Sequence, residues 1–346
     1  MKTKAVSIVL TWIFLVCLVS VFIGCEELTG SKGDDGADGA DGADGTALCG
    51  TCHSISTEIV AKQAQYQAST HATGGNSERG GSASCAVCHS SEGFRLSIAG
   101  EDAVGIDNPT QPNCRTCHNI HTNYDETDYD VVVTGSVEIT TSMGDATETV
   151  DFGKGSLCAS CHRSRPYGYT LAVGGGDYEV TSSRFGPHHG PQGNILAGFG
   201  GYEVSGSMSY TNSAHTTMVT EGCTTCHMAA PYGVQAGGHS MKMGYDYHDE
   251  LVPNTAGCES CHSDIESFDI GDTQTEVEEL LEELAALLIE AGIMKEAGGS
   301  AVTGTYSSDI AGARMNYQMC LEDRSNGVHN PKYVKALLTN SIEALQ

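Results

Sequence analysis

At 346 residues the chain is long enough for one large or two modest domains. Seventeen Lys and Arg against 44 Asp and Glu give a formal net charge of −27, which excludes a nucleic-acid binder and disfavours docking on anionic lipid. With 43 Gly, 6% aromatic residues and one Trp (Trp12), the chain has little side-chain volume for a conventional core, yet it carries 15 Cys and 14 His.

Lys2 and Lys4 precede an apolar run over 5–23, the pattern of a secretory signal over 1–24. A membrane-spanning anchor competes, because the run is nearly long enough to cross a bilayer. Val21-Phe22-Ile23-Gly24-Cys25 resembles a bacterial lipobox, although Phe22 stands where Leu is usual. By that resemblance Cys25 becomes the lipidated first residue of the mature chain; otherwise it is an incidental Cys after an ordinary signal. Several acyl chains at one terminus hold a protein stably to a membrane, where one does not. Glu26 after the Cys suggests the outer membrane of the bacterial envelope, facing the periplasm or the cell surface.

Residues 25–48 form an acidic, collagen-like linker. Six Gly-x-y triplets start at Gly30, Gly33, Gly36, Gly39, Gly42 and Gly45. They have the collagen period but no Pro, and their Asp residues would repel one another in a triple helix. An extended stalk of at most ~80 Å is favoured over a trimer.

The pattern Cys-x-x-Cys-His then occurs six times across an expected haem domain at 49–270. The cysteines are Cys49 and Cys52, Cys85 and Cys88, Cys114 and Cys117, Cys158 and Cys161, Cys223 and Cys226, and Cys258 and Cys261. The histidines are His53, His89, His118, His162, His227 and His262. Composition alone gives on the order of 0.03 such matches by chance. Two thiols separated by two residues reach the two vinyl groups of one haem, and the next residue brings its imidazole under the ring as the proximal iron ligand. Zinc sites need no His after every Cys pair. A redox dithiol comes singly on a thioredoxin-like pattern, and disulfides leave six identically placed His unexplained. The pattern therefore points to six haem c groups. Cys320 remains over and reads as a small buried hydrophobe.

Successive motifs start 36, 29, 44, 65 and 35 residues apart, so this is no tandem repeat. At about 50 residues per haem, the haems themselves are expected to form the core.

The sixth ligand decides between carrying electrons and binding substrate. Eight His lie outside the motifs: His71, His121, His188, His189, His215, His239, His248 and His329. Six irons need six of them. His121 follows His118 by three residues, which on a helical turn would let one segment serve two irons. His188 and His189 are adjacent and one of them is expected to ligate; His248 is expected to be free.

Residues 129–152 alternate Val, Ile and Thr with polar residues around Gly135 and Gly144, predicting a β-hairpin. A helix is predicted over 276–294 from Val277, Leu280, Leu281, Leu284, Leu287 and Leu288. Further helices are expected at 307–323 and 332–344, within a C-terminal element spanning 271–346.

With its six motifs, Arg184-Phe-Gly-Pro-His-His-Gly-Pro-Gln192 and Gly237-Gly-His-Ser240, the chain resembles the multihaem c-type cytochromes that metal-reducing and related bacteria place on their surface. The stretch from Asn316 through Gly327-Val-His-Asn-Pro-Lys-Tyr-Val334 is similar to the C-terminal helical element of the nitrite reductase and hydroxylamine oxidoreductase superfamily. The resemblance implies a mostly α and irregular, haem-cored fold with few strands, makes His329 a distal ligand and prefers His188 to His189. No Cys-x-x-Cys-Lys motif occurs, and there are two haems fewer than in the octahaem enzymes. The expectation is an electron carrier without substrate chemistry, serving redox partner proteins or an extracellular acceptor. The alternatives are a reductase or oxidase of a small nitrogen or sulfur compound at one five-coordinate haem, and a subunit of a polymeric filament.

Overall fold

The structure, a computed structural model, describes His53 and residues 57–346. The signal, Cys25, the linker, Cys49 and Cys52 lie outside the described residues. Among the described residues no helix is long and apolar enough to cross a membrane.

Short helices dominate the first part. They are α1 (Thr57–Gln67), α2 (Thr70–Thr73), α3 (Ala83–His89), α4 (Ser91–Ile98) and α5 (Cys114–Cys117). Three of them, α2, α4 and α5, start at a small polar residue whose side chain satisfies a free backbone donor. The Ser69 side chain accepts the Ala72 N–H at the start of α2, and Ser90 accepts the Gly93 N–H at the start of α4. Asn113 and Thr116 cap α5 reciprocally. At Gly93 an added methyl would lie 2.5 Å from the Ala86 carbonyl oxygen, so a glycine lets α4 lie across α3.

Three two-stranded antiparallel ribbons follow. β1 (Ser136–Thr140) pairs with β2 (Thr147–Asp151), inside the predicted hairpin region. The region's first residues fold differently: Tyr129 ends a 3-10 turn that starts at Glu126, and Val131 bridges to His118. β3 (Asp177–Val180) pairs with β6 (Gly304–Ser307), and β4 (Gly244–Tyr247) with β5 (Glu250–Pro253). These last two ribbons carry no clean period of two and were not predicted. Between the strands lie α6 (Ser156–Ala159), α7 (Gln192–Ala197), α8 (Ala214–Met218) and α9 (Cys223–His227).

The predicted C-terminal helices form as α10 (Thr273–Glu290), α11 (Ser308–Asp323) and α12 (Pro331–Leu345), packed against one another. Val277, Leu281, Leu284 and Leu288 form the buried stripe of α10. The Ser307 side chain caps α11, while Asn330 caps α12 ahead of Pro331.

The aromatic-poor composition concealed a conventional core here. Tyr202, Met294, Met315, Tyr317, Met319, Tyr333, Leu337 and Leu338 join the α10 stripe in one buried cluster. Cys320, 2% exposed, belongs to it as expected. No residue from 57–136 enters an apolar cluster of the described residues; the buried positions there are mainly small, such as Ser69, Ala86, Ser90, Ser91 and Thr116. The C-terminal helices, by contrast, bury their own side chains.

Candidate metal centres

Each fully described motif closes one helical turn. The histidine N–H donates to the first cysteine's carbonyl in three of them: His118 to Cys114 at 2.9 Å, His162 to Cys158 at 2.8 Å and His262 to Cys258 at 2.9 Å. The second and fifth motifs sit within α3 and α9. The turn places the two thiols on one side, three residues apart, with the imidazole following. None of the described cysteines is in a disulfide.

Every motif histidine faces a second imidazole from outside the motifs. Ring centres are 5.9 Å apart for His53 and His121, 6.2 Å for His89 and His188, and 6.3 Å for His118 and His239. They are 5.9 Å for His162 and His71, 6.2 Å for His227 and His329, and 6.1 Å for His262 and His215. The pairing is one-to-one and uses six of the eight candidates. His189 instead meets Glu322 at 2.7 Å, with its side chain 75% exposed. His248 packs edge-on against its neighbour Tyr247.

This spacing can be tested against an iron between the rings. Imidazole–metal bonds of about 2.0 Å, with about 1.1 Å from each nitrogen to its ring centre, put two centroids about 6.2 Å apart. All six pairs lie within a few tenths of an ångström of that separation. Ordinary ring–ring contacts cover a wider range, about 4.5–7 Å. Among the described residues, no three His, Cys, Asp or Glu side chains converge on one metal position. Two imidazoles per centre suit a metal whose other positions a macrocycle fills.

The other ring nitrogen has an acceptor in most pairs, which orients the imidazole and leaves Nε2 for the metal. Nδ1 of His118 meets the Tyr129 carbonyl at 2.7 Å, and that of His227 meets the Met241 carbonyl at 3.0 Å. Nδ1 of His215 meets the Val328 carbonyl at 2.5 Å. His162 uses Gln192 Oε1 at 3.2 Å, and His188 the Tyr167 hydroxyl at 3.2 Å. His71 lies 3.1 Å from Met241 Sδ, so Met241 touches members of two neighbouring pairs. His329 differs: its Nδ1 lies 2.7 Å from the carboxylate of Asp323.

At six of these imidazoles burial favours the neutral form, the one that binds metal. His71 is pushed down to about 4 by burial and then by His162. His188 is likewise pushed down to about 4, by burial first and then by Arg165. His162, His227 and His239 are lowered chiefly by burial. At His329 burial acts downward too, but the Asp323 carboxylate outweighs it and the net shift is upward.

His118 and His121 do serve two separate pairs, but not from a helical turn. His118 is extended, bridged to Val131, and His121 has a positive φ of 63°. What holds this turn is Asp128, which the motif pattern did not single out. Its carboxylate accepts N–H groups from His121 at 2.8 Å, Thr122 at 3.2 Å, Asn123 at 2.8 Å and Tyr124 at 3.3 Å. These bonds lower its pKa. Asp128→Ala is expected to disturb the His53/His121 centre and leave the other five unchanged. Electron paramagnetic resonance of the oxidised protein checks this as one altered signal beside unchanged ones.

No protein-family model matches the sequence, and no curated protein matches it either. A solved structure described as the outer cell wall cytochrome OcwA is similar, with a TM-score of 0.52 and 20% identity. The alignment covers 82% of this chain and 50% of that one, so this chain spans about half its length. Together with the repeated motif, this likeness shows that the chain has the fold of a multihaem cytochrome.

Proposed function

We propose that the chain carries electrons through six covalently bound c-type haems, each iron held by two histidines. The observation that carries this reading is the one-to-one pairing of all six motif histidines with a second imidazole at 5.9–6.3 Å. The twelve motif cysteines hold the haems by thioether bonds. The proximal ligands are His53, His89, His118, His162, His227 and His262; in that order the distal ligands are His121, His188, His239, His71, His329 and His215. When bound, haem supplies reversible one-electron chemistry at iron. The polypeptide would supply two imidazoles to each haem, fix the spacing between motifs and set the surrounding charge.

Closed positions at all six centres favour a carrier over an enzyme with a five-coordinate haem. Because all the paired histidines belong to one chain, no neighbouring copy is needed to complete a centre, which favours a self-sufficient molecule over a filament subunit. Lipidation at Cys25 would tether it to the bacterial envelope, with the 25–48 segment as a stalk. Its acidic surface favours basic redox partners through salt-sensitive contacts.

Low-temperature electron paramagnetic resonance of the oxidised holoprotein, with its intact mass, tests the reading. Six attached haems with every iron low-spin are expected. A high-spin iron that shifts on adding nitrite or hydroxylamine would replace the carrier with the enzyme.

A further inference from the structure

Three motif turns touch one another, and the charges at their two ends are opposite. The Cys223 sulfur of the fifth motif lies 3.8 Å from the carbonyl of Gly155, three residues before Cys158 of the fourth. A methyl at Gly155 would lie 2.7 Å from the Cys223 nitrogen, so a residue with no side chain permits this approach. The Cys161 sulfur of the fourth motif lies 4.0 Å from the carbonyl of Val87, the residue before Cys88 of the second. The centres of the fifth, fourth and second motifs therefore form a contiguous series.

At one end, the Asp323 side chain is fully buried, hydrogen-bonded to His329 and further held by the Ser325 hydroxyl. Among the described residues it is the one carboxylate on a paired imidazole. A buried anion on a ligand stabilises the more positive, oxidised iron and lowers its potential. At the other end, the Arg165 guanidinium carbon lies 5.9 Å from the centre of the Tyr167 ring, and the Tyr167 hydroxyl lies 3.2 Å from Nδ1 of His188; Arg165 and Arg79 also add to burial in lowering the His89 pKa. Arg163 and Arg165 act on the adjoining Cys88. Glu78 and Glu322 oppose them, but Glu322 is engaged by His189 and lies 4.0 Å from Arg324. In a chain with only 17 Lys and Arg, two arginines beside one imidazole pair are a local excess; Arg163 acts on Cys161 of the fourth motif as well as on Cys88. Cations stabilise the reduced iron and raise its potential. The middle pair, His162 and His71, has neutral partners in Gln192 and Met241.

We infer that Asp323 and Arg165 give this series a direction: the His227/His329 centre has the lowest potential of the six and the His89/His188 centre the highest. Electrons entering near the C-terminal helices then drain towards the second motif, which is the exit to an acceptor. This inference rests on the six-haem reading. Asp323 acts through His329, and Arg165 acts through space.

Spectropotentiometric titration of the purified holoprotein tests it, using Asp323→Asn and Arg165→Gln. Asp323→Asn keeps an acceptor but removes the charge. It is expected to raise only the lowest step, by about tenfold in its reduction equilibrium, or about 59 mV for one electron. Arg165→Gln, at a partly exposed position, leaves the fold intact and is expected to lower only the highest step. Six low-spin irons with neither extreme moved, or with another step moved, overturn the gradient alone. Fewer than six low-spin irons in the parent protein overturn the six-haem reading and the gradient with it.

Discussion

His329→Gly is expected to turn one of six low-spin ferric irons high-spin, while His189→Gly and His248→Gly leave all six low-spin. The three residues are all histidines outside the motifs, but only His329 faces a motif imidazole, that of His227 at 6.2 Å. His189 is on Glu322 and His248 on Tyr247. The substitution is also expected to destabilise the fold. The Asp323 side chain is 0% exposed, and removing its partner leaves a buried carboxylate unpaired. Breaking such a pair costs roughly 3–5 kcal/mol. Free imidazole added to His329→Gly should restore the low-spin signal, because the open position accepts it. An unchanged spin count in this variant would show that the imidazole pairs do not report iron ligation.

A second large effect is expected in the core of the C-terminal helices. At Gly312 in α11 an added methyl would lie 2.1 Å from the ring of Tyr202. That ring cannot retreat. Tyr202 is 1% exposed, its hydroxyl donates to Asp309 at 3.0 Å, and its backbone exchanges hydrogen bonds with Asn316 at 2.7 and 2.8 Å. Gly312→Ala is therefore expected to cost about 3 kcal/mol, at the upper end for overpacking a core. Gly176→Ala, where a methyl meets open space, is expected to change stability by less than about 0.5 kcal/mol. Denaturant midpoints of the two holoproteins provide the comparison. Equal midpoints would mean that α11 shifts to accommodate the methyl.

The identity of the chemistry was written in the sequence because it is local. Two cysteines and a histidine within five residues specify their own turn, and each described motif closes that turn. The C-terminal helices were legible for the same reason: the α10 stripe recurs at helical spacing, while Pro331 and Asn330 mark the start of α12. The excess of histidines showed that six distal partners were available, but not which imidazole meets which. That choice depends on contacts between residues as distant as His118 and His239, and only packing brings such residues together. Tertiary structure also overruled the local guess at His121, where Asp128 binds four N–H groups and stabilises a left-handed turn over a helical one. Composition averages the whole chain, so it could not show that the apolar side chains are concentrated in the last helices. The carboxylate on His329 was equally hidden, because a hydrogen bond across a loop leaves no periodic trace in the sequence. Spacing along the chain determined the number of motifs and the turn each described one makes; burial and the approach of distant side chains decided which imidazoles pair and the charge around each.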